Sequence, residues 1–376
     1  MDTQRKLELL ADASRFDLAC ACGTKGNADH RRRGVDGMWL YPVSLPSGGT
    51  SVMLKTLLSN ACVNDCRYCP FRSESNVPRC TLAPEEVARV FMDYVRGRHV
   101  FGLFLSSGVA GSPDATMERL VTVADILRRR HRYHGYIHLK VIPGASPAAV
   151  EAAVALASAV SLNIEVPRRS VFSQLSQTKD FDRDIVAPIR AISRLTGPGT
   201  LRANVKQTTQ FLVGAGTEAD VDIVKATFRL YRRLGLNRVY YSAYQRGMGA
   251  SDLPGERFSL AQQAGDDLFT REHRLYQVDF LLRKYGWREE DVCFGADGNL
   301  STECDPKEMW ARLHPAFFPV RLFSAEREAL LRVPGLGPVT VGRILAARRH
   351  STQWDLTALG VRGKRLSKVR RYAVPW

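Results

Sequence analysis

Between about residue 50 and residue 285 the chain changes texture regularly. Short runs rich in β-branched and aromatic residues alternate with longer stretches whose apolar residues recur every three or four positions. Six runs read as strands, over 51–59, 99–107, 135–143, 159–167, 204–214 and 237–244. Each is followed by a helical pattern, from PEEVARVFMDYVRGR after the first to LAQQAGDDLFTREHRLYQVDFLLRKYG after the sixth. Pro84 with Glu85 and Glu86 suits a helix start, and so does Ser146-Pro147. A β-then-α order repeated six times predicts a parallel sheet with right-handed crossovers, closed as a partial barrel or left open.

The flanks read differently. Residues 1–49 are polar and Gly-rich and are expected to cap the barrel mouth, and 286–323 form a mixed linker or barrel extension. Residues 324–376 form a small all-α unit. No apolar run approaches the ~18–20 residues of a membrane span, and the charged start does not resemble a secretory signal, so a cytoplasmic protein is expected.

Charge sharpens this picture. The 376 residues carry 54 Lys+Arg against 38 Asp+Glu, a formal charge of +16. Half of that excess lies in 324–376, where nine Arg and two Lys face two Glu and one Asp. A polyanionic partner follows from that clustering.

Eight cysteines are too few for a disulfide framework in a chain of this length, and they are clustered. Cys62, Cys66 and Cys69 stand as C-x3-C-x2-C directly after the first predicted strand, within LSNACVNDCRYCPF. Three thiolates at that spacing can hold three irons of a cubane and leave the fourth open to a small molecule. A structural zinc site is the alternative, with Cys80 or a histidine as fourth ligand. Cys20, Cys22, Cys80, Cys293 and Cys304 could furnish a second cluster or a hydrogen-donating thiol, although inert burial is the default.

At these residues the sequence resembles the radical S-adenosylmethionine (radical SAM) superfamily, whose signature is C-x3-C-x-aromatic-C on a partial (βα)6 barrel. The resemblance covers roughly 50–245. It implies a [4Fe–4S] cluster on Cys62, Cys66 and Cys69, S-adenosylmethionine on the open iron, a 5′-deoxyadenosyl radical, and a reductant such as flavodoxin or ferredoxin. It further implies that Tyr68 lies against the adenine and that Ser106, Ser107 and Gly108 replace the GGE-like turn that meets the methionine amino group. Asn163 and Glu165 would face ribose and amino acid from the fourth strand, and Val213 and Gly214 would neighbour the adenine. Lys140 is a further cation candidate. Tyr240, Tyr241 and Tyr244 on the sixth strand could stack on a base; with Cys304, Tyr240 and Tyr241 are the candidates on the substrate side.

The segment 324–349 reads as helix, tight turn, helix, with Val333-Pro334-Gly335-Leu336-Gly337 as the turn. Two glycines let amides point outward at a helix start, which suits a phosphate. This resembles the helix-hairpin-helix motif of DNA-binding proteins. It makes Gly335, Gly337, Arg343, Arg348 and Arg349 candidates for DNA contact, joined by Lys364 and Arg365 from a degenerate second copy over 355–374. Core and tail together resemble the radical SAM proteins assigned to DNA modification or repair, related to phage enzymes that rearrange amino-acid groups on thymine. The expected function is modification or isomerisation of a nucleobase, flipped from duplex DNA into the barrel mouth. Rival readings are a lyase for damaged pyrimidines, an RNA- or tRNA-modifying enzyme, and a non-catalytic iron–sulfur DNA-binding protein.

Overall fold

The computed structural model describes residues 2–14, 32–33, 39–44, 49–257, 268–350 and 354–375. The candidate cysteines Cys20 and Cys22 lie outside these residues. The chain divides into two compact units: 1–218 with 229–272, and 219–228 with 273–376.

The first unit is an α/β partial barrel built on an eight-stranded sheet ordered β1 to β8 along the chain. Its parallel strands are β3 (Thr50–Leu57), β4 (Gly102–Ser106), β5 (Tyr136–Lys140), β6 (Ala159–Ser161), β7 (Lys206–Val213) and β8 (Arg238–Ala243). The crossovers carry α2 (Pro84–Arg96), α3 (Pro113–Asp125), α4 (Pro147–Leu156), α5 (Arg169–Leu175) and α6 (Ala187–Thr196), with α7 (Asp220–Leu234) belonging to this unit from Arg229 onward. Two helix starts illustrate why these segments fold as they do. The Ser112 hydroxyl accepts from the Ala115 amide and Ser146 accepts from Ala149, each ahead of a proline whose missing N–H costs nothing there. Leu103, Leu105, Ile137, Leu139, Val160 and Phe211 are buried on these strands, as a sheet covered on both faces requires.

The described N-terminal residues add elements of their own. Helix α1 (Thr3–Ser14) buries Leu7, Leu10 and Ala11, and β1 (Arg32–Arg33) and β2 (Trp39–Ser44) add two antiparallel strands beside β3. Among the described residues β1 pairs with Trp39 and Leu40, and Pro42 stands beyond them in β2, opposite Val52 of β3.

The second unit contains α8 (Leu268–Lys284) from His273 onward, α9 (Pro306–Leu313), α10 (Arg327–Arg332), α11 (Pro338–His350) and α12 (Lys364–Tyr372). Its core gathers Leu330, Leu331, Val333, Leu336, Val341, Ile344, Val361 and Val369, all at most 1% exposed. Two expectations are corrected here. The tail is not all-α, because Val320–Arg321 pairs in parallel with Ala373–Val374; two-residue strands leave no periodic trace in sequence. Nor does 355–362 form the first helix of a second hairpin copy. It is a series of turns set by Asp355, which accepts from the amide of Ala358 and the amide and hydroxyl of Thr357.

Candidate active site

The C-terminal ends of the parallel strands open on one cavity of about 210 Å³. This is where a parallel α/β sheet ordinarily holds its ligand. Cys62, Cys66 and Cys69 line it, together with Tyr68. Ser106, Ser107 and Gly108 arrive from β4, Lys140 from β5, Asn163 and Glu165 from beyond β6, and Gln210 and Leu212 from β7. Residues far apart in sequence are thus brought together around one cavity.

The cysteine loop is tied down along its length. Leaving β3, the Leu58 amide donates to the Ser106 carbonyl at 2.8 Å, and the Gly108 amide donates back to Ser59 at 2.7 Å. Val63 donates to the Val109 carbonyl at 2.9 Å, and the Val109 amide points at Cys62 Sγ at 3.4 Å. The Phe71 amide points at Cys69 Sγ at the same distance. Gly108 permits this closeness: a Cβ there would stand 2.4 Å from the Ala61 carbonyl oxygen and 3.2 Å from Cys62 Cβ.

Two side chains not singled out by the motif hold the loop. The Arg79 guanidinium donates to the carbonyls of Asn60, Phe71, Arg72 and Ser75 at 2.6 to 3.0 Å. Asp65, inside the motif, accepts from the Ser176 and Thr178 hydroxyls and the Gln177 and Thr178 amides. Burial opposes its charge, but these hydrogen bonds win and hold its pKa below the usual carboxylate value. The 176–178 segment so fixed delivers Lys179 into the cavity.

Glu165 has φ +62°, a left-handed conformation rare for a residue with a side chain. It is held there from both sides, its amide donating to Gln210 at 3.0 Å and its carbonyl accepting from Leu212 at 2.7 Å. Such strain persists where the surroundings over-determine it, often at functional sites. The Glu165 carboxylate is hydrogen-bonded to Tyr68; burial first and then Glu165 push the tyrosine pKa well up. Burial also raises Cys66, and raises Cys69 to about 12. Burial works against the charge on Lys179, yet Cys66 and Glu165 outweigh it and raise its pKa.

The adenine-side and substrate-side candidates fall differently. Val213 is fully buried behind the cavity wall, and Gly214 (φ +85°) turns the chain, its amide bonded to the buried Glu218 carboxylate. Glu218 also accepts from Gly216, so one carboxylate shapes the whole GAGTE turn. Tyr241 is 1% exposed and stacked on Phe211 with rings at 10°, which makes it a packing residue rather than part of the cavity wall. Tyr240 lies under the Arg238 guanidinium and is not among the lining residues. Tyr244 does line the cavity and donates to Glu256. Cys304 belongs to the second unit, buried beside Ser301.

In the second unit the turn predicted over 333–337 joins α10 to α11. Gly335 has φ +91°, and a Cβ there would meet Val369 Cγ2 at 2.9 Å. Arg348 is half-buried, and its Nη1 donates to the carbonyls of Ala325 and Leu322 at 2.8 and 3.3 Å. Arg343 donates to Leu359 and Arg365 to Gly335, both from exposed positions, while Arg349 and Lys364 are exposed.

A cluster on Cys62, Cys66 and Cys69 fits this donor set. The three thiols share one cavity wall, with Cys66 buried and Cys62 and Cys69 half-buried. Among the described residues no group of three His, Cys, Asp or Glu side chains is drawn together tightly enough to hold a single metal ion.

No family model matches the chain, and no curated protein matches its sequence. Solved structures do match. Methylornithine synthase (PylB) is 16% identical over 61% of this chain, with a TM-score of 0.47. The [FeFe]-hydrogenase maturase HydG is 16% identical over 85% of this chain and 80% of its own, with a TM-score of 0.45. The radical S-adenosylmethionine methyltransferase TsrM from Kitasatospora setae is 12% identical over 50% of this chain and 35% of its own, at 0.39. The chain spans 61% of the length of the methylornithine synthase.

Proposed function

We propose that the protein is a radical SAM enzyme that modifies or rearranges a nucleobase in DNA. The observation that carries the first half is the C-x3-C-x2-C loop, stapled to the end of β4 and opening on a cavity at the carboxyl ends of the parallel strands. Bound there, a [4Fe–4S] cluster and S-adenosylmethionine would supply a carbon radical able to take a hydrogen atom from substrate.

The chain's own residues prepare that chemistry. The carbonyls and hydroxyls of Ser106 and Ser107 offer acceptors to an ammonium group in place of a carboxylate. The Glu165 carboxylate, 8% exposed and held on a strained backbone, offers a fixed negative charge to the same molecule. Lys179, and Lys140 on the opposite strand end, offer cations to a carboxylate. Apolar walls, including Leu57, Ile142 and Leu212, keep water from a reactive radical.

The DNA half of the proposal is supported by the charge of 324–376 and by the Gly335–Gly337 turn at the start of a thirteen-residue helix. The test is nucleoside mass spectrometry of DNA from cells with the wild-type protein and with a Cys66→Ala variant. A modified nucleoside present only with the wild type supports the reading. Identical DNA nucleosides beside an altered tRNA nucleoside would replace DNA by RNA as the substrate.

A further inference from the structure

The second unit carries two cavities that the barrel chemistry does not use. The first, of about 430 Å³, is lined by Lys307, Gly335, Gly337, Lys364, Arg365 and Lys368, with Asp305 and Tyr285 on its rim. The second, of about 340 Å³, is lined by Tyr276, Phe280 and Leu281 among others. They adjoin, because Tyr285, Asp305 and Lys307 line both. One lobe is cationic and the other aromatic.

The acid in the cationic lobe is already committed. Asp305 caps α9 by accepting from the Glu308 amide at 2.9 Å, and its other oxygen accepts from Lys368 at 2.8 Å. Lys307 is 8% exposed; its ammonium donates to the Leu336 carbonyl and lies 4.9 Å from the centre of the Tyr285 ring. Arg365 donates to the Gly335 carbonyl and to the Thr340 hydroxyl. Lys364 and Arg365, both exposed, therefore leave an excess of positive charge in a concave site, the arrangement that attracts a phosphate. In the other lobe Phe280 is 45% exposed, its ring edge-to-face against Tyr285 with centroids 5.7 Å apart. An exposed aromatic face beside a cationic pocket is the pairing that receives one unpaired nucleotide, base on the ring and phosphate on the cations.

We propose that these joined cavities form a site for one unpaired nucleotide of a DNA strand, with its phosphate against Lys364 and Arg365 and its base against Phe280. The inference rests on the DNA reading above and deepens it: the second unit would hold strand that is already unpaired, rather than grip a duplex backbone alone.

The test is fluorescence anisotropy with the full chain and two labelled probes of about ten units, a thymidylate strand and an abasic deoxyribose-phosphate strand. The wild type is expected to bind the thymidylate strand more tightly. Phe280→Ala should weaken thymidylate binding about five- to a hundredfold, as loss of one stacked base does, and leave abasic binding unchanged. Lys364→Ala should weaken both probes and flatten their salt dependence. Both residues are exposed, so neither variant threatens the fold. Equal binding of the two probes, or unchanged thymidylate binding by Phe280→Ala, overturns the proposal. The assay needs neither cluster nor turnover, so its failure bears on this site alone, whereas failed S-adenosylmethionine cleavage bears on the barrel alone.

Discussion

Substituting alanine at Gly108 tests how the cysteine loop is held. The added Cβ would stand 2.4 Å from the Ala61 carbonyl oxygen, where an ordinary contact begins at 3.4 Å. Relief requires Ala61 and Cys62 to move outward by about 1 Å, because the obstruction is backbone and no rotamer escapes it. That shift pulls Cys62 away from the Val109 amide, now 3.4 Å from its sulfur, and breaks the 2.7 Å bond from Gly108 to Ser59. Overpacking of this kind costs roughly 1–3 kcal/mol of stability, so the chain should still fold, with a midpoint lowered by several degrees. A displacement near 1 Å at a reacting centre costs on the order of a hundredfold in rate. The assay is anaerobic reconstitution with iron and sulfide, followed by reductive cleavage of S-adenosylmethionine. Gly108→Ala should fold, take up less iron and cleave about a hundredfold more slowly. Wild-type iron content and cleavage in this variant would refute the idea that the close approach of the two loops positions Cys62.

Other residues give independent checks. Glu165→Gln should leave iron content unchanged and raise the apparent KM for S-adenosylmethionine about tenfold or more, the loss of roughly 1.4 kcal/mol of charge-assisted contact; an unchanged KM would remove Glu165 from the cofactor's surroundings. Arg79→Met strips hydrogen bonds from four loop carbonyls, and a thermal melt should register a loss of about 2–4 kcal/mol together with weaker iron retention. Lys307 makes a pH prediction. Burial holds its pKa near 7, below the ordinary 10.5, with Asp305 working against that depression and Arg332 and Arg365 adding to it. Between those values the unfolded chain carries a proton that the folded chain lacks, so the second unit should gain stability as pH rises from 7 to 10, by an amount of order 2–5 kcal/mol. Denaturant melts of Lys307→Met should lose that rise; parallel pH profiles for the two proteins would show that Lys307 is charged throughout.

Much of the barrel was legible because its signal is local. Five of the six parallel strands lie within the runs that periodicity marked and β3 begins one residue ahead of its run, at Thr50, while the three cysteines fall together at the cavity because their loop is short. The fourth predicted strand shows where locality ends. It was expected over 159–167, yet β6 stops at Ser161, because Glu165 takes a left-handed φ and pairs through a single bridge to Phe211. Asn163 and Glu165 still reach the cavity, but from a bend rather than by strand alternation. Lys179 and Arg79 had no local signal at all. Their roles come from what long-range folding sets opposite them: Asp65 anchoring 176–178, and four loop carbonyls turned toward one guanidinium. Tyr241 erred in the other direction, because alternation on a strand cannot say which face is covered, and here Phe211 covers it. In the tail, charge alone does not reveal that one nitrogen of Arg348 is bonded to the Ala325 and Leu322 carbonyls.

The most direct measurement of the central claim is product analysis after single-electron reduction of the reconstituted protein with S-adenosylmethionine. About four irons per chain and formation of 5′-deoxyadenosine, both lost in Cys66→Ala, are the expected result. A fully loaded cluster that leaves S-adenosylmethionine intact would contradict the account.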